Sequence, residues 1–151
     1  VDIKSLIADE SITAWVEYPG DGEFEVQIKY LPRKEFRDIV QKARVRTVRQ
    51  RSTTDDVDAA KLSDLVTNKL VLGWKGLTIA VLRTLMPVKS VEGASDDTEV
   101  EFSKDNLKAL TDYSMDFENW LLEVAMDPRT FSSEESYENL RKLQDGSPKT
   151  D

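Results

Sequence analysis

Residues 12–30, ITAWVEYPGDGEFEVQIKY, decide how the rest of the chain is read. Ile12, Ala14, Val16 and Tyr18 alternate with Thr13, Trp15 and Glu17, the period-two pattern of a strand with one apolar face. The turn formers Pro19-Gly20-Asp21-Gly22 follow. Phe24, Val26, Ile28 and Tyr30 then alternate with Glu23, Glu25, Gln27 and Lys29, so the segment reads as a β-hairpin. A lone hairpin is marginal in water, and its apolar face needs a cover. Pro32 suits a first helical turn, and Phe36, Ile39, Val40 and Ala43 follow as one helical stripe able to supply that cover.

Working outward, Lys42, Arg44, Arg46, Arg49 and Arg51 form a basic run with no acidic residue between them. Such a run reads first as a solvated linker between two helices. Its functional alternative is a docking strip for an acidic partner, including the acidic C-terminal part of another copy. Thr53, Thr54, Asp55 and Asp56 supply capping oxygens and negative charge for the start of a long helix to about Leu72, with Leu62, Leu65, Val66 and Leu70 as its core face. Gly73-Trp74-Lys75-Gly76 then reads as a tight exit. Thr78 can cap a short helix Ile79–Met86 ended by Pro87, although its β-branched residues also admit a strand.

The stretch Val88–Glu101, with Glu92, Asp96, Asp97, Glu99 and Glu101, reads as an acidic surface loop. Ser103 is the expected N-cap of the next helix, with Phe102 stapling to Leu107. Leu107, Leu110 and Tyr113 are expected to face inward. A break at Ser114 leads to the stripe Phe117, Trp120, Leu121 and Val124, which Asp127-Pro128 ends. Ser132 and Glu135 make a capping box for a last helix, Ser133 to Gln144, whose stripe Tyr137, Leu140 and Leu143 is thin. The expected fold is α+β and mainly helical: an N-terminal β-hairpin packed on a bundle of about five to six helices. Residues 1–145 are expected to form a single globular domain and residues 146–151 a flexible tail.

Charge and composition bound the function. Among 151 residues, 21 are Lys or Arg and 29 are Asp or Glu, a net charge of −8, which disfavours nucleic acid and anionic membrane as main partners. The acidity is polarised: residues 1–90 carry a net +2 and residues 91–151 a net −10. With no Cys and no His, disulfides, thiolate nucleophiles, His-containing triads and thiolate or imidazole zinc sites are excluded. No P-loop, GxGxxG or GxSxG pattern occurs. No apolar run approaches the roughly 20 residues of a membrane helix, and Val1–Glu10 lacks the layout of a secretory signal.

Three weaker chemistries can be weighed. Asp112 with Asp116, or Glu134 with Glu138, are spaced i, i+4 on helices, where a two-acid hydrolase could in principle use them, but acidic helix faces are ordinarily solvated. The acidic loop offers oxygen ligands for a hard cation, without EF-hand spacing. Neither pattern calls for a metal or a cofactor. Trp15, Trp74 and Trp120 are large anchors of the kind that dominate cores and binding hot spots. Trp120 falls on a helical stripe. Trp74 follows a helix-ending glycine, where it covers a junction or protrudes toward a partner.

The order of features carries a resemblance. A hairpin ending in Tyr30-Leu31 and a charged helix Arg33 to Ala43 are followed by Gly73-Trp74-Lys75-Gly76-Leu77-Thr78. Downstream come Glu101-Phe102-Ser103-Lys104-Asp105-Asn106, Phe117 to Ala125, and Asp127 with Phe131. Over residues 12–131 the chain resembles small bacteriophage and prophage tail proteins, many of them tail assembly chaperones. Pro32 departs from the Ser or Thr cap usual there, and the acidic loop is longer. The resemblance implies folding roles for Trp74, Gly76, Leu77, Phe102, Ser103 and Asn106, and no catalytic residues. It implies a non-enzymatic protein of the host cytoplasm that binds the tape measure protein during tail assembly, with the tail tube protein as a further candidate partner. The alternative is a structural completion or adaptor subunit retained in the virion. Partner-binding candidates are Lys42, Arg44, Arg46, Arg49, Arg51, Trp74, Tyr137 and Leu140, and self-association is a further expectation.

Overall fold

The computed structural model describes residues 1–7, 12–20, 23–49 and 51–132, and shows a mixed α+β chain. Strands β1 (Thr13–Glu17) and β2 (Glu25–Lys29) pair antiparallel, with Ala14 opposite Ile28 and Val16 opposite Val26 on one face. Phe24, Val26 and Ile28 are buried, as the alternation requires. Helix α1 (Arg33–Lys42) follows, with Pro32 at its N-cap and Ile39 and Ala43 buried.

The basic run is not a linker. Arg44–Arg49 (β3) pairs with Ser52–Val57 (β4) as a second, two-stranded sheet. Thr53 to Asp56 therefore lie in a strand instead of opening a helix. The cap of α2 (Ala59–Leu70) is Asp58, whose carboxylate accepts from the Lys61 N–H at 3.1 Å. The β-branched density of Val45, Thr47, Val48, Thr53, Thr54 and Val57 is the local reason for the strands.

Helix α2 stops at Leu70, and Val71–Lys75 continues as β5, a third strand antiparallel to β2. Gly73 and Trp74 thus lie in a sheet, not in a turn. Gln27 faces Gly73 while Ile28 faces Val71, so Leu72 is an extra residue, a β-bulge. The bulge changes the parity of the strand. Val71 and Trp74 both point into the core, and Leu72 is left 46% exposed.

Thr78 caps α3 (Ile79–Leu85), its hydroxyl accepting from the Val81 N–H. The loop that follows returns to pair Glu99 with Thr78 in an isolated bridge, and Ser103 caps α4 (Lys104–Tyr113) by accepting from the Asn106 N–H at 3.0 Å. Tyr113 is exposed, contrary to expectation. The buried face of this helix is Leu107, Leu110, Thr111 and Ser114, an i, i+3, i+4, i+7 set that leaves position 113 outside.

Ser114 both closes α4 and caps α5 (Met115–Met126), accepting from the Phe117 N–H at 3.2 Å while itself buried. Ser114→Ala should lower stability by about 1 kcal/mol, seen as a lower urea midpoint with an unchanged slope. Asp127 then caps a 3-10 turn, Pro128–Thr130. The last helix expected from Ser133 lies outside the described residues. One cluster of buried side chains joins the three-stranded sheet to α1, α2, α4 and α5, with Phe117 stacked on Phe24 at 6.0 Å between ring centres. No helix among the described residues is long and apolar enough to cross a membrane.

Candidate protein-binding surfaces

Two surfaces stand out, an apolar groove and an exposed arm. The groove opens where the end of β2 meets α1, α2 and α5. Tyr30, Leu31, Phe36, Val66, Leu70, Leu122, Ala125 and Met126 line it, with Arg33 and Pro128 at its margins and a volume of about 430 Å³. Val66 and Leu70 form a buried floor, Leu31, Phe36, Leu122 and Ala125 half-buried walls, and Met126 is 71% exposed. Such a surface holds almost no hydrogen-bonding demand, so it favours an apolar side chain over a polar substrate. At its α5 end the Arg129 guanidinium donates to Asp127 at 3.0 and 3.1 Å and holds that carboxyl below the usual aspartate range.

The arm is the β3–β4 hairpin. It leaves the core at Ala43, which is fully buried, and returns at Asp58, whose N–H donates to the Ala43 carbonyl at 2.9 Å. Every side chain described between Arg44 and Val57 is exposed. Arg44 and Arg46 project from β3, Arg49 ends that strand, and Arg51 occupies the turn with a φ of 68°. Lys42 instead ends α1. The five basic candidates are thus collected at one hairpin and its base.

Trp74 is only 8% exposed, and its indole N–H donates to the Val100 carbonyl at 2.9 Å. Its ring lies between Phe24 and Phe102, at 6.1 and 5.0 Å. Trp74 is therefore a junction residue and offers no surface to a partner, which corrects its place among the binding candidates. Tyr137 and Leu140 lie outside the described residues. Trp15 sits on the opposite face of the sheet beneath the Lys75 ammonium, 4.6 Å from the ring centre.

Among the described residues the chemistry weighed from the sequence finds no constellation, and Glu134 and Glu138 lie outside them. Asp112 lies on α4 and Asp116 on α5, separated by the break at Ser114, so they do not share one helix face. Asp112 instead joins Asp64 on the Lys108 ammonium, at 3.1 and 3.2 Å. In the acidic loop Asp96 pairs with Arg83. Among the described residues no three acidic side chains converge as cation ligands would. Lys104 caps the end of α2, donating to the carbonyls of Asn68 and Val71 at 2.8 and 3.2 Å, and burial pulls its ammonium below the usual lysine value.

The groove could not be read from the sequence, since its lining comes from segments nearly a hundred residues apart. The arm was not read from the sequence either, although its β-branched residues carry the signal that could have marked it. Compared with known proteins, the chain matches no family model, no curated protein and no solved structure.

Proposed function

We propose that this chain is a non-enzymatic phage or prophage tail assembly protein, a chaperone that binds apolar helical segments of the tape measure protein until tube subunits enclose it. The observation that carries the reading is the apolar groove between α1, α2 and α5. A groove of this composition receives the i, i+3, i+4 side chains of an amphipathic helix, the ordinary mode of helix-in-groove recognition. The net charge of −8 supports the same reading, because like charge keeps complexes with a sticky client dispersed. The residue pattern from Tyr30-Leu31 to Phe131 supports the phage assignment. The N-terminal strands and the helices that cover them serve, in this reading, as the scaffold that shapes the groove.

The test is co-purification and titration with the tape measure protein of the phage or prophage that carries this chain. Met126→Glu places a charge at the mouth of the groove from a side chain already in solvent. It should weaken binding by about tenfold or more while leaving the thermal midpoint unchanged. Failure of the unmodified chain to bind at micromolar concentration rejects the chaperone role. The exposed arm favours a second reading, a completion or adaptor subunit, which predicts stoichiometric copies of the chain in purified virions by mass spectrometry.

A further inference from the structure

We propose that the β3–β4 arm is a self-assembly element, through which the β3 edge of one copy adds to the β4 edge of the next, head to tail. Three observations lead there. First, the arm has only two strands among the described residues, and its described side chains are exposed on both faces. Isolated two-stranded hairpins are marginal in water and are stabilised by further strands. Outward N–H and C=O groups along a sheet edge are a template for such strands.

Second, the two edges carry opposite charge. β3 holds Arg44, Arg46 and Arg49 and no acid, whereas β4 holds Asp55 and Asp56 and no base. Among the described residues the arm contains one ion pair, Arg46 to Asp55 at 3.8 Å, so Arg44 and Asp56 are not matched to each other within the hairpin. The register sets Arg44 opposite Val57 and Asp56 opposite Val45. Val45, Val48 and Val57 are exposed and would be partly covered by an added strand.

Third, charge selects the geometry. Two-fold pairing of β3 with β3 would set arginine beside arginine, and β4 with β4 aspartate beside aspartate, both unfavourable. A β3 edge on a β4 edge matches opposite charges. A neighbouring copy related by translation or a small rotation also continues the alternating antiparallel ladder. Such a heterologous contact makes a ring or an open chain rather than a symmetric dimer.

Sedimentation velocity of the full chain over a concentration series at low and high salt tests this. The expected result is association that passes beyond two copies and weakens as salt rises, because the matched charges are exposed. Arg44→Glu and Asp56→Lys each leave the Arg46–Asp55 pair intact. Each alone should weaken association by about tenfold or more. Met126→Glu should leave self-association unchanged, which separates this contact from the groove. A chain that stays monomeric to about 100 µM at low salt, a species that stops at the dimer, or association indifferent to Arg44→Glu, each overturns the proposal.

Discussion

Replacing Phe117 by Ala is expected to remove about 3–5 kcal/mol of stability, the largest loss of any single truncation here. The side chain is fully buried, and its ring meets Trp120 at 5.9 Å, Phe24 at 6.0 Å and Tyr18 at 6.3 Å. Truncation forfeits the transfer of the ring from water and leaves a cavity walled by stiff aromatic groups. Rings held by several partners collapse poorly into a void, so the cavity cost persists. Set against a typical total of about 5–15 kcal/mol, such a loss brings the chain near unfolding at ambient temperature. Urea denaturation followed by tryptophan fluorescence reads it directly. A loss below about 1 kcal/mol would mean that the aromatic cluster is not the centre of the core.

Gly76→Ala is expected to cost about 2–5 kcal/mol, for two reasons that add. Its φ of +76° lies in the left-handed region, where a Cβ crowds the chain's own backbone. A Cβ there would also stand 2.8 Å from the carbonyl carbon of Glu23, and closer still to its oxygen. Those are backbone atoms, unable to rotate aside, and moving them would displace the start of β2. Gly93 separates the two causes. Its φ is +84° with open space around the missing Cβ, so Gly93→Ala should cost only about 1 kcal/mol. The difference between the two melting curves measures the close approach alone. Equal losses would show that Glu23 yields, and that the contact at Gly76 does not constrain the sheet.

The outcome at Gly76 bears on how the sheet is built. Trp74, Gly76 and Leu77 form the passage from β5 to α3, with Leu77 buried and its carbonyl accepting from the Val100 N–H at 2.7 Å. The geometry gives these positions a physical role. Trp74 fills the space between Phe24 and Phe102, and Gly76 lets the chain pass against Glu23.

What the sequence determined by itself is a set of features whose cause is local. Alternation at Ile12 to Tyr18 and Phe24 to Tyr30 set which faces of β1 and β2 are buried. Side-chain oxygens at Thr78 and Ser103 marked two helix starts, because a cap acts on N–H groups two or three residues away, whereas Ser114 read only as a break and its capping of the next helix came from the structure. Tertiary structure decided where a segment's backbone found its partner. Leu70-Val71-Leu72 continues a helical apolar pattern as well as it begins a strand, and only β2, more than forty residues earlier, draws Val71–Lys75 into the sheet. The arm was misread because its charges suggested a solvated linker and its Thr and Asp residues suggested a cap. Pairing of Arg44–Arg49 with Ser52–Val57 satisfied the same groups across strands instead. The groove belongs wholly to the tertiary level, since Tyr30, Phe36, Val66 and Leu122 acquire a common surface only when the helices that bear them pack together.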